Sequence, residues 1–173
     1  MEIPATDMKY LIIFFGAFLI GATALPAQGC TMLFLSEYRD GGGNDGLIEL
    51  YNPGDAPINL EDYELRIYPN GSLNPQFIDL SGVVLAHSTF VVTHPQASPQ
   101  LLVLADMTSA MLRMDGNDAV ELHGPVTALD ILWRIGQDPG PSGWTVHGNA
   151  STANANLRRK YTVSEGETDW NRA

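Results

Sequence analysis

The stretch GLIELYNPG, residues 46–54, decides how the chain is read. Leu47, Ile48, Leu50 and Tyr51 make a short apolar run, and Pro53-Gly54-Asp55 closes it, as a strand running into a turn would. Glu49 interrupts the run. Alternate residues of a strand share a face, so Leu47, Glu49 and Tyr51 point one way and Ile48 and Leu50 the other. Both faces are mostly apolar, which puts Glu49 at least partly in the interior. A buried carboxylate without donors is costly and tends to take up a proton. Glu49 is therefore expected to share an ion pair or hydrogen-bond network with Arg158 or Arg159, with Glu37 as a third member. Adjacent arginines in a strand face opposite ways, so one can turn inward while the other stays in water. The alternative is that Glu49 lines a binding site.

The same texture extends in both directions. Residues 32–38 (MLFLSEY), 63–68 (YELRIY), 77–80, 83–85, 89–93 (TFVVT), 101–104 (LLVL), 111–114, 119–122, 129–135 (LDILWRI) and 157–163 (LRRKYTV) read as further short apolar or alternating runs. Turn signals separate them: the Gly/Asn-rich loop 39–46, Asn70-Gly71, and Asp115-Gly116-Asn117-Asp118. About eight to ten strands with frequent turns imply an all-β sandwich or barrel. Residues 108–114 could hold one helical turn.

The chain of 173 residues suits one domain, and 45% apolar against 17% charged residues allows a core. The net charge is -11 with nine Lys plus Arg, so the basic footprint that nucleic acid requires is missing. Residues 11–25 (LIIFFGAFLIGATAL) are an apolar run preceded by Lys9 and followed by small residues, the layout of a secretory signal over residues 1–29. Met8-Lys9 makes a better head than Met1, because Glu2 and Asp7 offset the lysine; the expected start is Met8, or the first seven residues are an overlong gene prediction. Residues 30–173 then form the single mature domain. Cys30 is the only cysteine. Ala27-Gln28-Gly29-Cys30 resembles a bacterial lipobox, which makes Cys30 a lipidation site. Cleavage after Ala24 or Ala27, or an uncleaved anchoring helix, are the competing readings.

Catalytic patterns are not found in the sequence. His87, His94, His123 and His147 are scattered without zinc-ligand spacing, and no nucleophile elbow, phosphate loop or dinucleotide fingerprint occurs. His94 and His123, at strand ends, are expected at the surface or rim. Neither acidic turn fits a calcium loop of the EF-hand type, so no metal and no cofactor are expected. A calcium site assembled from loops distant in sequence stays open.

Taken together, several pieces resemble a lamin tail domain of the kind found in exported bacterial proteins. They are Leu35-Ser36-Glu37-Tyr38, Leu47 to Pro53, Ile58-Asn59-Leu60, Tyr63-Glu64-Leu65, Phe90-Val91-Val92, Asp115 to Val120, Leu129-Asp130 with Gly136, and Leu157-Arg158-Arg159. The match runs from about Met32 to Trp170. It implies an immunoglobulin-like β-sandwich that binds or scaffolds and carries no catalytic residue. The expected function is a non-catalytic interaction domain at the bacterial cell envelope, exported as a lipoprotein or a secreted or periplasmic protein. Its partner is an unidentified envelope or extracellular protein, nucleic acid is excluded, and the membrane is met only through a lipid anchor. The alternative is a calcium- or carbohydrate-dependent surface-binding module. Trp133, Trp144, Tyr68 and Tyr161 are the aromatics of interest; Trp133 is expected in the core, and Trp144, in a Gly/Pro-rich loop, is the candidate surface contact.

Overall fold

A computed structural model describes residues 32–146 and 150–170. The signal-like segment, Cys30 and His147 lie outside the described residues.

The fold is all-β and sandwich-like. Strands β1 (Phe34–Arg39), β2 (Leu47–Tyr51), β7 (Thr89–Thr93), β8 (Met107–Thr108) and β11 (Asn156–Arg158) form a five-stranded sheet in the order β11-β1-β2-β7-β8. Strands β4 (Glu64–Tyr68), β5 (Gln76–Asp79), β9 (Ala119–His123) and β10 (Ala128–Leu132) form a four-stranded sheet in the order β10-β9-β4-β5. The short pair β3 (Ile58–Asn59) and β6 (Val83–Val84) closes one flank. All pairings are antiparallel except β7 with β8.

Inward positions follow the period of two that strands impose. Tyr38, Ile48, Leu50, Phe90 and Val92 of the larger sheet meet Leu65, Ile67, Ile78, Val120 and Leu122 of the smaller one in a single buried cluster. Fully burying one such side chain is worth about 1.5–3 kcal/mol, so this interface is the principal source of stability. The larger sheet also has a small apolar cluster on its outer face. Leu47 and Val91 are capped there by Ala97 and Leu101.

Leu101 belongs to a helical turn, α1 (Pro99–Leu102), where the sequence pattern suggests a strand. A four-residue apolar run carries no decisive period. Ser98 at the N-cap and Pro99 in the first turn tip it to helix, since proline has its angle preset there and needs no N–H partner. Eleven strands lie among the described residues: β3 and β8, with two residues each, are too short to show alternation, while the run at 111–114 forms no strand. The run at 157–163 is a strand only as far as Arg158.

The antiparallel register fixes two ends of the larger sheet. Phe34, Tyr51 and Thr89 lie side by side at the end where the chain enters. Arg39, Leu47 and Thr93 lie side by side at the far end.

Candidate functional site

The charge network differs from the one expected at Glu49. Strand order places Arg158 directly across from Glu37, with Glu49 one strand farther on, opposite Glu37's other side. Arg158 Nε accordingly meets Glu37 Oε2 at 2.6 Å, and among the described residues Glu49 pairs with no arginine. Its donor is Ser36, whose hydroxyl donates to Glu49 Oε1 at 2.7 Å. Ser36 sits at a register shift between Leu35 and Glu37, a bulge that re-aims its side chain along the sheet. Glu49 is only half-buried, so it needs fewer protein donors than a sealed carboxylate.

Arg159 turns the other way and serves a carboxylate that sequence reading passed over. Asp130 is 0% exposed. Arg159 Nη2 donates to its Oδ1 at 2.6 Å, as do the backbone N–H groups of Ile131 at 2.9 Å and Glu167 at 3.0 Å. The backbone N–H of Leu35 donates to Oδ2 at 2.8 Å. One side chain therefore ties β1, β10, the residue after β11 and the C-terminal segment together. Burial raises its carboxyl above the ordinary range, while the Arg159 guanidinium and the Glu167 and Leu35 N–H groups pull it back. The available signal was an aspartate inside the apolar run LDILW, the same signal that drew attention to Glu49.

A cleft of about 480 Å³ opens at the far end, lined among others by Asp40, Asn70, Arg113, Asp115, Asp118 and Asn154. Asp40, 3% exposed, accepts from the Gly42 N–H at 2.9 Å and the Asn154 N–H at 2.8 Å. Asp118, 2% exposed, accepts from the Asn70 N–H at 3.0 Å. Burial pushes the Asp118 carboxyl up to about 6, and the charges of Asp115 and Asp40 add to the rise against the N–H donors. The buried Tyr38 hydroxyl is pushed up by burial first and by the charges of Asp40, Asp118 and Asp115 after it, against the Gly116 backbone, which pulls it back. Among the described residues, no three His, Cys, Asp or Glu side chains converge closely enough to hold a metal ion.

Trp144 is not a surface contact. It is 7% exposed and stacks on Trp133, with ring centroids 6.4 Å apart and planes at 14°. Trp170 packs against both, at 5.1 Å from Trp133 and 6.0 Å from Trp144. The loop that carries Trp144 folds back on itself. Trp144 N–H donates to Thr152 Oγ1 at 2.8 Å, the Thr152 N–H returns to Trp144 O at 3.1 Å, and Thr145 pairs with Ser151. Burial of an aromatic outweighs the polar character of the loop around it. Trp133 is core, and Tyr68 is buried with its hydroxyl donating to Glu121 Oε2 at 3.0 Å. Tyr161 is 99% exposed. A second cleft of about 570 Å³ runs beside this knot, walled by Trp133, Val146, Val163 and Trp170 and edged by Arg159 and Glu165.

The three described histidines, His87, His94 and His123, make separate contacts. His94 is 1% exposed and not at the rim, because the chain turns over it: its Nδ1 accepts from the Gln96 N–H at 3.0 Å. His123 is half-buried with Nδ1 4.0 Å from Glu64. Exposed His87 meets Asp55 at 2.9 Å. On the outer face of the smaller sheet, Arg66 bridges Glu64 and Glu121 and lies over the Phe77 ring.

No protein-family model and no curated protein matches the chain.

Proposed function

We propose that this chain is a non-catalytic interaction domain of the bacterial cell envelope, exported and anchored through Cys30, with a lamin-tail-like sandwich as its scaffold. One observation carries the interaction reading. Leu102, Val103 and Leu104 are consecutive and all exposed, at 37%, 86% and 58%, on a turn held rigidly by Leu101 beneath. A contiguous apolar protrusion on a well-packed domain marks a contact surface. The partner is an envelope or extracellular protein or the envelope surface itself. Envelope material captured by the wild-type chain, and lost with Val103→Asp at unchanged melting temperature, tests this reading. Equal capture by both forms overturns it. For the anchor, a fatty-acid probe should label the wild-type chain in cells and leave Cys30→Ser unlabelled; equal labelling ends that part of the reading.

A second reading, a cation-dependent binding module, is favoured by the acidic cleft of Asp40, Asp115 and Asp118. A ligand that binds only the folded form must stabilise it. Melts with calcium and with chelator are expected to coincide, and a clear upward shift with calcium would move the assignment to this second reading.

A further inference from the structure

The cleft of about 570 Å³ beside the tryptophan knot is lined by residues of β10 and of the C-terminal segment. These two pieces are fixed to each other. The Ile131 N–H donates to Glu167 O at 3.0 Å, and the Glu167 N–H donates to Asp130 Oδ1 at 3.0 Å. Gly166 permits so close an approach, since a Cβ there would collide with Leu129 O and with the Asp130 side chain. Trp133 leaves β10 with φ 71°, a left-handed conformation that a bulky aromatic adopts only when its surroundings impose it. Such outliers cluster at ligand clamps. Here the outlier seats the ring on Trp144 and edge-on to Trp170. Trp170 also lines the cleft and is only half-buried, so aromatic surface stays open there. A preformed pocket of this size, with apolar walls and a few polar groups, has the general form of a small-molecule site.

We infer that this cleft, independently of the apolar protrusion and of the anchor, binds an organic cation with an apolar body. Charge decides the class. Arg159 is the cation among the lining residues, and its charge is already answered. Its Nη2 donates to Asp130 Oδ1 at 2.6 Å, its Nη1 donates to Glu165 O at 3.3 Å, and the guanidinium carbon lies 5.8 Å from the Phe34 ring centroid. Little of it is left for an anion. Glu165 is exposed and lines the same cleft, which adds a carboxylate at its edge. A cation there meets a negative charge and the negative faces of aromatic rings, whereas an anion is repelled by both. The net charge of -11 biases the surrounding field the same way. The apolar walls select against a small hydrated ion, which would lose water without gaining ligands. An apolar body gains instead, because its surface leaves water against Val146, Val163 and Trp170.

The test titrates the full chain with three probes that share one aromatic body: 2-phenylethylammonium, 2-phenylethanol and phenylacetate. The indole N–H resonances are followed by NMR and assigned with Trp133→Phe and Trp170→Phe. Saturable shifts at Trp133 and Trp170 are expected. The ammonium should bind roughly three- to tenfold more tightly than the alcohol, the scale of an exposed ion pair together with a cation–π contact, and phenylacetate should bind most weakly. Glu165→Gln, at an exposed position that leaves the fold intact, should bring the ammonium down to the affinity of the alcohol. Equal affinity for ammonium and alcohol, tighter binding of phenylacetate, or an ammonium preference that survives Glu165→Gln overturns the choice of a cation. No saturable shift with any of the three probes overturns the site itself. Either failure leaves the envelope-capture experiment with Val103→Asp untouched.

Discussion

Asp130 and Asp118 are both sealed from solvent, at 0% and 2% exposure, and their surroundings are opposite. Asp130 has a guanidinium and three backbone N–H groups on it. Asp118 has the backbone N–H groups of Asn70 and Asp115 and two neighbouring carboxylates, and among the described residues Arg113, which lines the same cleft, makes no ion pair with it. Burial raises both carboxyls, yet only the first has a positive charge to answer it. The difference separates a structural carboxylate from a poised one. The Asp130 site joins pieces far apart in sequence and is finished in the folded chain. The Asp118 site keeps an electrostatic debt that a proton or an external cation would lift.

The largest expected effect comes from breaking the finished site. Asp130→Ala strands Arg159 and leaves three backbone N–H groups without an acceptor. Losing one partner of a buried pair costs about 3–5 kcal/mol. Denaturant melts of the purified domain should show a loss of that size. A loss under about 1 kcal/mol would mean that the C-terminal segment is held by Trp170 and its neighbours and not by the aspartate.

The poised site should answer with the opposite sign. The Asp118 carboxyl is pushed up to about 6, above its ordinary 3.8. The folded state then binds more protons than the unfolded state between these values, so stability falls as pH rises through that window and the cost is complete above it. Asp118→Asn keeps an acceptor for the Asn70 N–H and removes the charge. At pH 7.5 it is expected to stabilise the domain by about 1–3 kcal/mol, from roughly 1.4 kcal/mol per unit of pKa. The gain should vanish near pH 4. Unchanged stability at pH 7.5 would show that the cleft already solvates or neutralises the carboxylate.

Much of the fold was legible because strands announce themselves through alternation and turns. LIELY, YELRIY and TFVVT became β2, β4 and β7 with their inward residues where the period of two puts them. What was illegible depended on register between distant segments. Nothing local in LRRKY says that Arg158 falls opposite Glu37 while Arg159 reaches Asp130, because that follows from β11 docking beside β1 and from β1 and β10 coming together. Trp144 misled for a related reason. Gly140, Pro141 and Gly143 signal a turn, but a turn can fold inward when an aromatic at its tip finds Trp133 and Trp170. The acidic cleft was half legible: the turn at 115–118 was visible, and its closeness to Asp40 was not.

The smallest effect concerns Glu49 and its neighbour Glu37, which sharpen the contrast at the surface of the larger sheet. The two glutamates oppose each other directly across β1 and β2, an arrangement in which like charges repel. Each has a separate remedy. Glu37 is nearly buried at 7% and has Arg158, which is itself 74% exposed. Glu49 is half-buried and has the Ser36 hydroxyl. A pair with one partner in water contributes up to about 1 kcal/mol, and a neutral hydrogen bond about as much. Glu37→Gln is therefore expected to cost about 1 kcal/mol or less, since it loses the attraction to Arg158 and also the repulsion from Glu49. Glu49→Gln retains an acceptor for Ser36 and removes the same repulsion, so it should change stability by no more than about 0.5 kcal/mol. The double substitution tests the coupling. If the two carboxylates repel, the second substitution is more destabilising in the presence of the first than alone, because the relief has already been collected. Strict additivity in a thermal-melt cycle would mean that Arg158 and Ser36 screen the glutamates completely. A loss of several kcal/mol for Glu49→Gln alone would instead restore a buried, arginine-dependent Glu49, against the 2.7 Å contact that assigns it to Ser36.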